Sequence, residues 1–205
     1  CIGCTDCIGR VKGPVTHCAI NPSCSRETVR LKEAKTKKKI LVVGGGPAGM
    51  HAAALLAQRG HSVVLAEKER NLGGNMQTAG IPNGKEDFLL GVKSLIRSVK
   101  LSGVQVECNI MINEEYLNTH SFDEVILASG SVPIKPSFLN GFGVSAIDVL
   151  KGRAVTGRNI VVQTKDVLMM IQLMSIWAME ALLIPIRFIL HCRRSLKTRN
   201  LIPLP

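Results

Sequence analysis

The stretch Lys39-Ile40-Leu41-Val42-Val43-Gly44-Gly45-Gly46-Pro47-Ala48-Gly49-Met50 decides how this chain folds. Its apolar beginning, Ile40–Val43, is typical of a buried parallel strand, and that run leads straight into a glycine turn. Strong helix formers follow at Ala52–Ala57. A strand, a glycine turn and a helix in this order predict the first β–α unit of an α/β domain.

Three glycines of this turn fit the G-x-G-x-x-G fingerprint of dinucleotide-binding domains. Gly44 permits the tight turn, Gly46 lets the backbone approach a pyrophosphate, and Gly49 lets the helix pack closely on the strand. The diphosphate would lie beside Pro47 and Ala48, because unpaired N–H groups and the helix dipole favour an anion at a helix N-terminus. An ordinary glycine-rich turn has the same letters, so the surrounding sequence must decide.

The second strand supplies that context. His61–Glu67 reads as an apolar strand that ends in Glu67, at about the spacing expected for a carboxylate that accepts a hydrogen bond from a ribose hydroxyl. Lys68 follows directly. A solvated acid at a strand end is the alternative. Since strand, turn, helix, strand and terminal acid agree, we predict a dinucleotide site rather than a plain turn.

Composition limits the remaining possibilities. The chain has 205 residues, enough for one domain with appendages, and it does not begin with Met, so we expect a processed product or a fragment. The formal net charge of +11 is concentrated around residues 26–39 and 187–199. Aromatic residues are scarce and no nucleic-acid-binding module is visible, so we interpret these charges as a solvated linker and tail and expect no nucleic-acid partner.

Cysteines cluster at the beginning of the chain. Five of the seven lie in the first 24 residues, namely Cys1, Cys4, Cys7, Cys18 and Cys24. Thiols next to a nucleotide-binding unit indicate a metal and a reducing, cytoplasmic compartment rather than a disulfide framework. The spacing C-x2-C-x2-C with a fourth cysteine after ten residues favours an iron–sulfur cluster. A structural zinc site, which also uses paired cysteines, stays open as the alternative.

These motifs together resemble a known family. Cys1-Ile2-Gly3-Cys4, Cys7 and Cys18-Ala19-Ile20-Asn21-Pro22, followed by a basic linker and Val43–Gly49, look like the NADH:flavin oxidoreductase/2,4-dienoyl-CoA reductase family, which includes the enoate reductases and trimethylamine dehydrogenase. In that family an N-terminal barrel carries FMN and substrate, a [4Fe–4S] cluster follows, and a C-terminal portion binds FAD and NAD(P)H. The resemblance implies that Cys1, Cys4, Cys7 and Cys18 are the cluster ligands.

The resemblance also assigns roles further along the chain. In FAD enzymes of this type a Gly-Gly pair soon after the acidic strand end lets the backbone pass near the cofactor, and Gly73 and Gly74 fit that pair. The strand beginning at Asp123 leads to Ala128-Ser129-Gly130, similar to the Ala-Thr-Gly motif of two-dinucleotide flavoproteins. A flexible loop and a simple strand end are the plainer interpretations.

We therefore predict an α/β fold: a Rossmann-like dinucleotide-binding parallel sheet, preceded by a small cysteine-rich iron–sulfur segment and followed by an atypical tail. The predicted segments are 1–25 for the cluster, 26–38 for a basic linker, 39–162 for an incomplete FAD-binding domain and 163–205 for the tail. The family's second glycine fingerprint is missing after Val162. The apolar run over 167–190 is interpreted as an out-of-frame segment, an unpartnered hydrophobic helix or, least favoured, a membrane helix.

The function implied by the resemblance is electron transfer from NAD(P)H through FAD and the cluster toward FMN on a barrel domain of the parent protein, for reduction of an enoyl or enoate C=C bond. No catalytic residue can be named in this chain, and FMN and NAD(P)H are expected in the parent rather than here. The alternatives are a stand-alone electron-transfer or dinucleotide-binding module, a non-functional truncated product, and a relative of the glutamate synthase small subunit.

Overall fold

The computed structural model describes residues 1–9, 16–132, 143–157, 159–164 and 187–192. The chain divides into two compact units, Cys1–Gly143 and Val144–Pro205. In chain order the elements are α1 (Asp6–Gly9), β1 (Lys39–Val43), α2 (Pro47–Gln58), β2 (Ser62–Glu67), α3 (Asn75–Ala79), α4 (Asp87–Leu101), β3 (Gln105–Cys108), α5 (Glu114–Thr119), β4 (Glu124–Leu127), α6 (Ala146–Leu150), β5 (Asn159–Thr164) and β6 (Arg187–Cys192).

The first unit is built on a four-stranded parallel sheet with the order β3-β2-β1-β4. Strand β1 lies between two neighbours, and its Val42 is opposite Leu65 of β2 and Ile126 of β4. This sheet confirms the predicted Rossmann-like fold. Because all four strands run in the same direction, their carboxyl ends meet at one edge, where α/β domains bind their ligands.

Helices α2 and α4 cover one face of the sheet. Val42 and Leu65 on the strands, Met50 on α2 and Val99 on α4 are each fully buried and belong to one apolar cluster. Helix α4 places Val92, Leu95 and Val99 on its buried side, at the spacing of an amphipathic helix. Each such aliphatic side chain contributes about 1.5–3 kcal/mol when it leaves water. This packed face holds β1 and α2 in a fixed relation.

The opposite face is covered by the connection over residues 109–122 and has a smaller core around Leu41 and Val64. Tyr116 of α5 packs here, and its hydroxyl donates a hydrogen bond of 2.8 Å to the carboxylate of Glu107. Burial first, and then this carboxylate, raise the pKa of Tyr116 to about 12. The phenol therefore remains neutral and keeps donating at neutral pH.

The structure also describes the predicted linker and parts of the predicted tail. The segment predicted as a basic linker contains no helix over residues 26–38, and its Lys38 forms an ion pair of 2.7 Å with Glu124 at the start of β4. Strand β5, whose last two residues belong to the predicted tail, forms a parallel pair with β6. A hydrophobic helix over 167–190 is therefore wrong at its end, because β6 begins at Arg187.

The rest of the predicted tail, 165–186 and 193–205, lies outside the described residues. Within the described parts of the chain, no helix combines the length and the hydropathy that a bilayer-spanning segment requires.

Candidate functional site: a dinucleotide cradle and a cysteine segment

The three fingerprint glycines have different surroundings in the turn between β1 and α2. A Cβ atom on Gly49 would overlap the carbonyl oxygen of Gly44, and one on Gly44 would overlap the carbonyl oxygen of Ala128. A Cβ atom on Gly46 would meet nothing within 4 Å among the described residues beyond its chain neighbours. Backbone packing thus requires glycine at the first and third positions, whereas Gly46 faces open space that a ligand can enter.

Helix α2 begins at this open glycine. Gly46 is its N-cap in an extended conformation (φ −73°, ψ 179°), Pro47 follows, and no side chain among the described residues caps the helix. The N–H groups of Ala48 and Gly49 lie in the first turn and have no carbonyl partner within the helix. Together with the helix dipole they favour an anion. These residues fit a diphosphate group.

Glu67 lies at the carboxyl end of β2 and is only 6% exposed. One oxygen of its carboxylate, Oε2, accepts a hydrogen bond of 2.6 Å from the N–H of Gly45, and Oε1 accepts one of 2.8 Å from the N–H of Glu69. A carboxylate offers about four acceptor positions, so capacity for a ribose hydroxyl remains. The side chain also fixes the glycine turn to the end of β2, a role that the sequence did not predict.

The predicted Gly73–Gly74 pair lies directly against the glycine turn. The N–H of Gly73 donates a hydrogen bond of 2.8 Å to the carbonyl oxygen of Gly45. A Cβ atom on Gly74 would lie 3.2 Å from the Cα atom of Gly46. Both residues have positive φ angles, 123° and 53°, which glycine adopts without strain. The structure therefore brings this pair to the open side of the cradle.

The end of β4 closes the cradle on another side. Ala128 donates its N–H to the carbonyl oxygen of Val43 at 2.8 Å, and its own carbonyl group lies against Gly44. Ser129 and Gly130 follow at the surface, and Lys68 is exposed where the chain leaves β2. Most of the predicted nucleotide-binding residues are thus gathered around the glycine turn. Lys68, Ser129 and Gly130 lie at its periphery.

The structure also shows roles for three residues to which the sequence assigned none. A Cβ atom on Gly45 would overlap the side chain of Leu72, which is buried over the turn. The middle glycine of the Gly44–Gly46 run, which the fingerprint does not require, was the available signal for this close approach. Thr78 of α3 is 3% exposed, and its hydroxyl has no hydrogen-bond partner among the described residues. Nothing in the sequence indicated that this hydroxyl would be buried.

The four predicted cluster ligands lie on two short segments at the beginning of the chain. Cys1 and Cys4 are exposed, Cys7 and Cys18 are half-buried, and all are free thiols. Among the described residues no group of three or more Cys, His, Asp or Glu side chains is placed to hold a metal ion, so the four sulfurs are not gathered around one point. The ligand set stays a prediction.

The chemistry of these thiols nevertheless suits a metal cluster. The N–H of Gly3 donates to Sγ of Cys1 and the N–H of Asn21 donates to Sγ of Cys18, each at 3.4 Å. Hydrogen bonds from the backbone of Ile20 and Asn21 lower the pKa of the Cys18 thiol. Because the thiolate is the form that binds metal, N–H groups aimed at sulfur favour the ligating state.

Comparison with known proteins agrees with the cradle geometry. A family profile described as an NAD(P)-binding Rossmann-like domain matches residues 42–98. Cinnamate reductase of Clostridium sporogenes is 40% identical over 166 residues, which are 79% of this chain and 25% of that protein. NADH oxidase of Thermoanaerobacter brockii is 39% identical over 165 residues, or 75% and 25% of the two chains. The chain thus spans about a quarter of the length of these relatives.

A solved structure gives the same result. The complex of 2-naphthoyl-CoA reductase with 2-naphthoyl-CoA matches this chain with a TM-score of 0.67 at 27% identity, covering 72% of this chain and 23% of that one. All three of these proteins are named as reductases or oxidases. The range that the family profile matches, residues 42–98, contains the glycine turn, Glu67 and the Gly73–Gly74 pair.

Proposed function

This chain belongs to the NADH:flavin oxidoreductase/2,4-dienoyl-CoA reductase family, and from that membership we propose that it is the FAD- and [4Fe–4S]-carrying part of a flavin-dependent NAD(P)H oxidoreductase. The observation that carries this proposal is the open position at Gly46, between the N-terminus of α2 and Gly74, with the Glu67 carboxylate at the neighbouring strand end.

The residues of the cradle would each act on a different part of FAD. The N–H groups at the start of α2 would bind the diphosphate, since they have no carbonyl partner within the helix and lie at the positive end of the helix dipole. Glu67 would orient the adenosine ribose through its remaining acceptor positions. Gly73 and Gly74 would let the connection after β2 pass close to the nucleotide, because neither presents a side chain.

The cysteine segment would hold the cluster through Cys1, Cys4, Cys7 and Cys18. When bound, FAD and the cluster would supply one- and two-electron chemistry between NAD(P)H and an FMN-bearing barrel domain of the parent protein, where an enoyl or enoate C=C bond is reduced. This chain contributes binding and placement of those groups and no catalytic side chain. A cytoplasmic location suits the free thiols that the cluster requires.

The flavin part of the proposal is tested by titrating the chain with FAD and with ADP, which carries the half of FAD that the cradle faces. Gly46→Val fills the open position with a branched side chain, so we expect affinity for both probes to fall by at least about tenfold, or about 1.4 kcal/mol. Gly157→Val is the matched control, because a Cβ atom there also meets open space. Equal affinity in Gly46→Val and the unaltered chain would contradict the proposed site.

The cluster part is tested by anaerobic reconstitution with iron and sulfide. We expect a brown product with about four iron atoms per chain and the absorbance of a [4Fe–4S] cluster. A colourless product that holds only zinc would remove the cluster and favour the structural zinc site. Steady NAD(P)H oxidation with an added electron acceptor would exclude a module that has no turnover of its own.

A further inference from the structure

Two separate parts of the cysteine segment meet the sheet domain at one glycine. Gly91 lies within α4, and the position that its Cβ atom would occupy is 3.1 Å from Cγ2 of Ile2 and 3.6 Å from Cγ1 of Ile20. Ile2 is half-buried between exposed residues, and Ile20 packs against the main apolar cluster of the domain. Ile2 lies between Cys1 and Cys4, and Ile20 lies two residues after Cys18. The two cysteine-bearing segments therefore share one contact point.

The identity of Gly91 fits a packing role. Glycine in the interior of a helix is destabilising relative to alanine, so its presence in α4 requires a local reason. A Cβ atom at this position would lie 2.6 Å from Cε of Met76 in addition to its approach to Ile2. The missing side chain thus leaves the space that Ile2 and Met76 occupy.

Met76 connects this contact point to the nucleotide cradle. It is buried on α3, the short helix that begins just after Gly74. Gly74 in turn packs against Gly46, the open glycine of the cradle. A continuous series of contacts thus runs from the cysteine segments through Gly91 and Met76 to the turn that faces the diphosphate. Packed contacts of this kind fix distances, because protein interiors are as dense as organic crystals.

We propose that Ile2, Ile20 and Gly91 form an anchor that positions both cysteine-bearing segments on the sheet domain, beside the nucleotide cradle, so that the cluster assembles at this place. The proposal rests on the proposed cluster and adds residues that do not ligate it. Gly91, Ile2 and Ile20 are positioning residues: they act on the metal through the segments that carry Cys1, Cys4 and Cys18.

The central test is Gly91→Leu, which fills the contact point with a residue that favours the helix. After anaerobic reconstitution we expect iron to be lost to a chelator at least about tenfold faster than from the unaltered chain, the size of effect that supporting residues have on metal sites. Affinity for FAD should fall by a smaller factor than the retention of iron, because Gly91 reaches Gly46 only through Met76 and Gly74. Ser94→Leu, an exposed position on the same helix, is the matched control.

Gly91→Ala distinguishes anchoring from helix stability, because it should raise the stability of the chain and lower its retention of iron. Alanine favours the helix and should raise the midpoint of urea unfolding, while the added methyl group crowds Ile2 and should speed the loss of iron. Ile20→Ala should also lose iron faster, and Ile20→Val should restore most of the retention. If Gly91→Leu and Ile20→Ala keep iron as long as the unaltered chain, the anchor is wrong.

Failure of the anchor and failure of the cluster are distinguished by hydrogen exchange in the metal-free chain. The anchor predicts faster exchange over residues 2–8 and 16–24 in Gly91→Leu than in Ser94→Leu, whether or not iron is present. If the unaltered chain takes up no iron while the two variants still differ in exchange, the cluster is wrong and the contact point is a packing contact only. Equal exchange in the two variants would overturn the anchor.

Discussion

The nucleotide cradle and the cysteine segment contrast in how much of each site the fold itself builds. At the cradle, Gly44, Gly49 and Ala128 are held by backbone contacts, and Glu67 is buried with both carboxylate oxygens hydrogen-bonded. In the cysteine segment, by contrast, Cys1 and Cys4 are exposed and the sulfurs are not gathered within the described residues. The cradle is preformed, whereas the proposed cluster site would take its final shape only when metal binds. The free energy of unfolding of the metal-free and nucleotide-free chain measures this difference.

The largest effect is expected for Gly49→Val. Its Cβ atom would overlap the carbonyl oxygen of Gly44, so β1 and α2 cannot keep their packing. We expect a loss of about 3 kcal/mol or more in the free energy of unfolding, as for overpacked core positions. Urea unfolding followed by circular dichroism measures this loss.

The control for this prediction is Gly46→Val, which enters open space and should change the unfolding free energy by no more than about 0.5 kcal/mol. Equal destabilisation by the two substitutions would contradict the division between structural glycines and the ligand-facing one.

The second effect concerns Glu67→Gln. The carboxylate accepts hydrogen bonds from the N–H groups of Gly45 and Glu69. A glutamine amide accepts only through its oxygen, so its NH₂ group would face one of these two N–H donors. We expect a loss of about 1.5–3 kcal/mol, typical of a hydrogen bond to a charged group. Chemical unfolding provides the measurement, with the exposed Glu69→Gln as the control. Unchanged stability of Glu67→Gln would mean that the carboxylate serves the ligand alone.

The same contrast explains how much could be predicted from the sequence. The order of strand, turn, helix and acidic strand end is local, and each step has a backbone reason, so the fold, the tight turn at Gly44 and the close packing at Gly49 could be predicted. The role of Gly46 stays a prediction. The contacts of Leu72 with Gly45, and of Ile2 with Gly91, join residues far apart in the chain. Their partners are set by three-dimensional packing, and no periodic pattern indicates them.

The tail shows a related limit. A run of apolar residues has no period that separates a buried strand from a helix. The strand that begins at Arg187 therefore contradicted one of the interpretations offered for this run.

A third effect, of opposite sign, is expected for Thr78→Val. The Thr78 hydroxyl is buried on α3 without a partner among the described residues. Removing an unsatisfied buried hydroxyl should raise the unfolding free energy by about 1 kcal/mol. Thr119→Val is the control, because that hydroxyl donates to backbone carbonyl groups on α5 and should not gain stability. A loss of stability in Thr78→Val would show that its hydroxyl is bonded in solution.

The smallest effect is expected where the fold contributes least, at Cys4→Ser. The Cys4 thiol is exposed, so the substitution should change the unfolding free energy of the metal-free chain by less than about 0.5 kcal/mol. Iron uptake should nevertheless be lost, because a cluster site depends on each of its thiolates. Cys108→Ser makes the same chemical change in a half-buried thiol of β3, and there we expect the reverse: a loss of stability with iron uptake intact. Metal analysis and urea unfolding on the same samples test both parts. If Cys4→Ser destabilised the metal-free chain as much as Glu67→Gln does, the cysteine segment would be as preformed as the cradle, and the contrast between the two sites would be wrong.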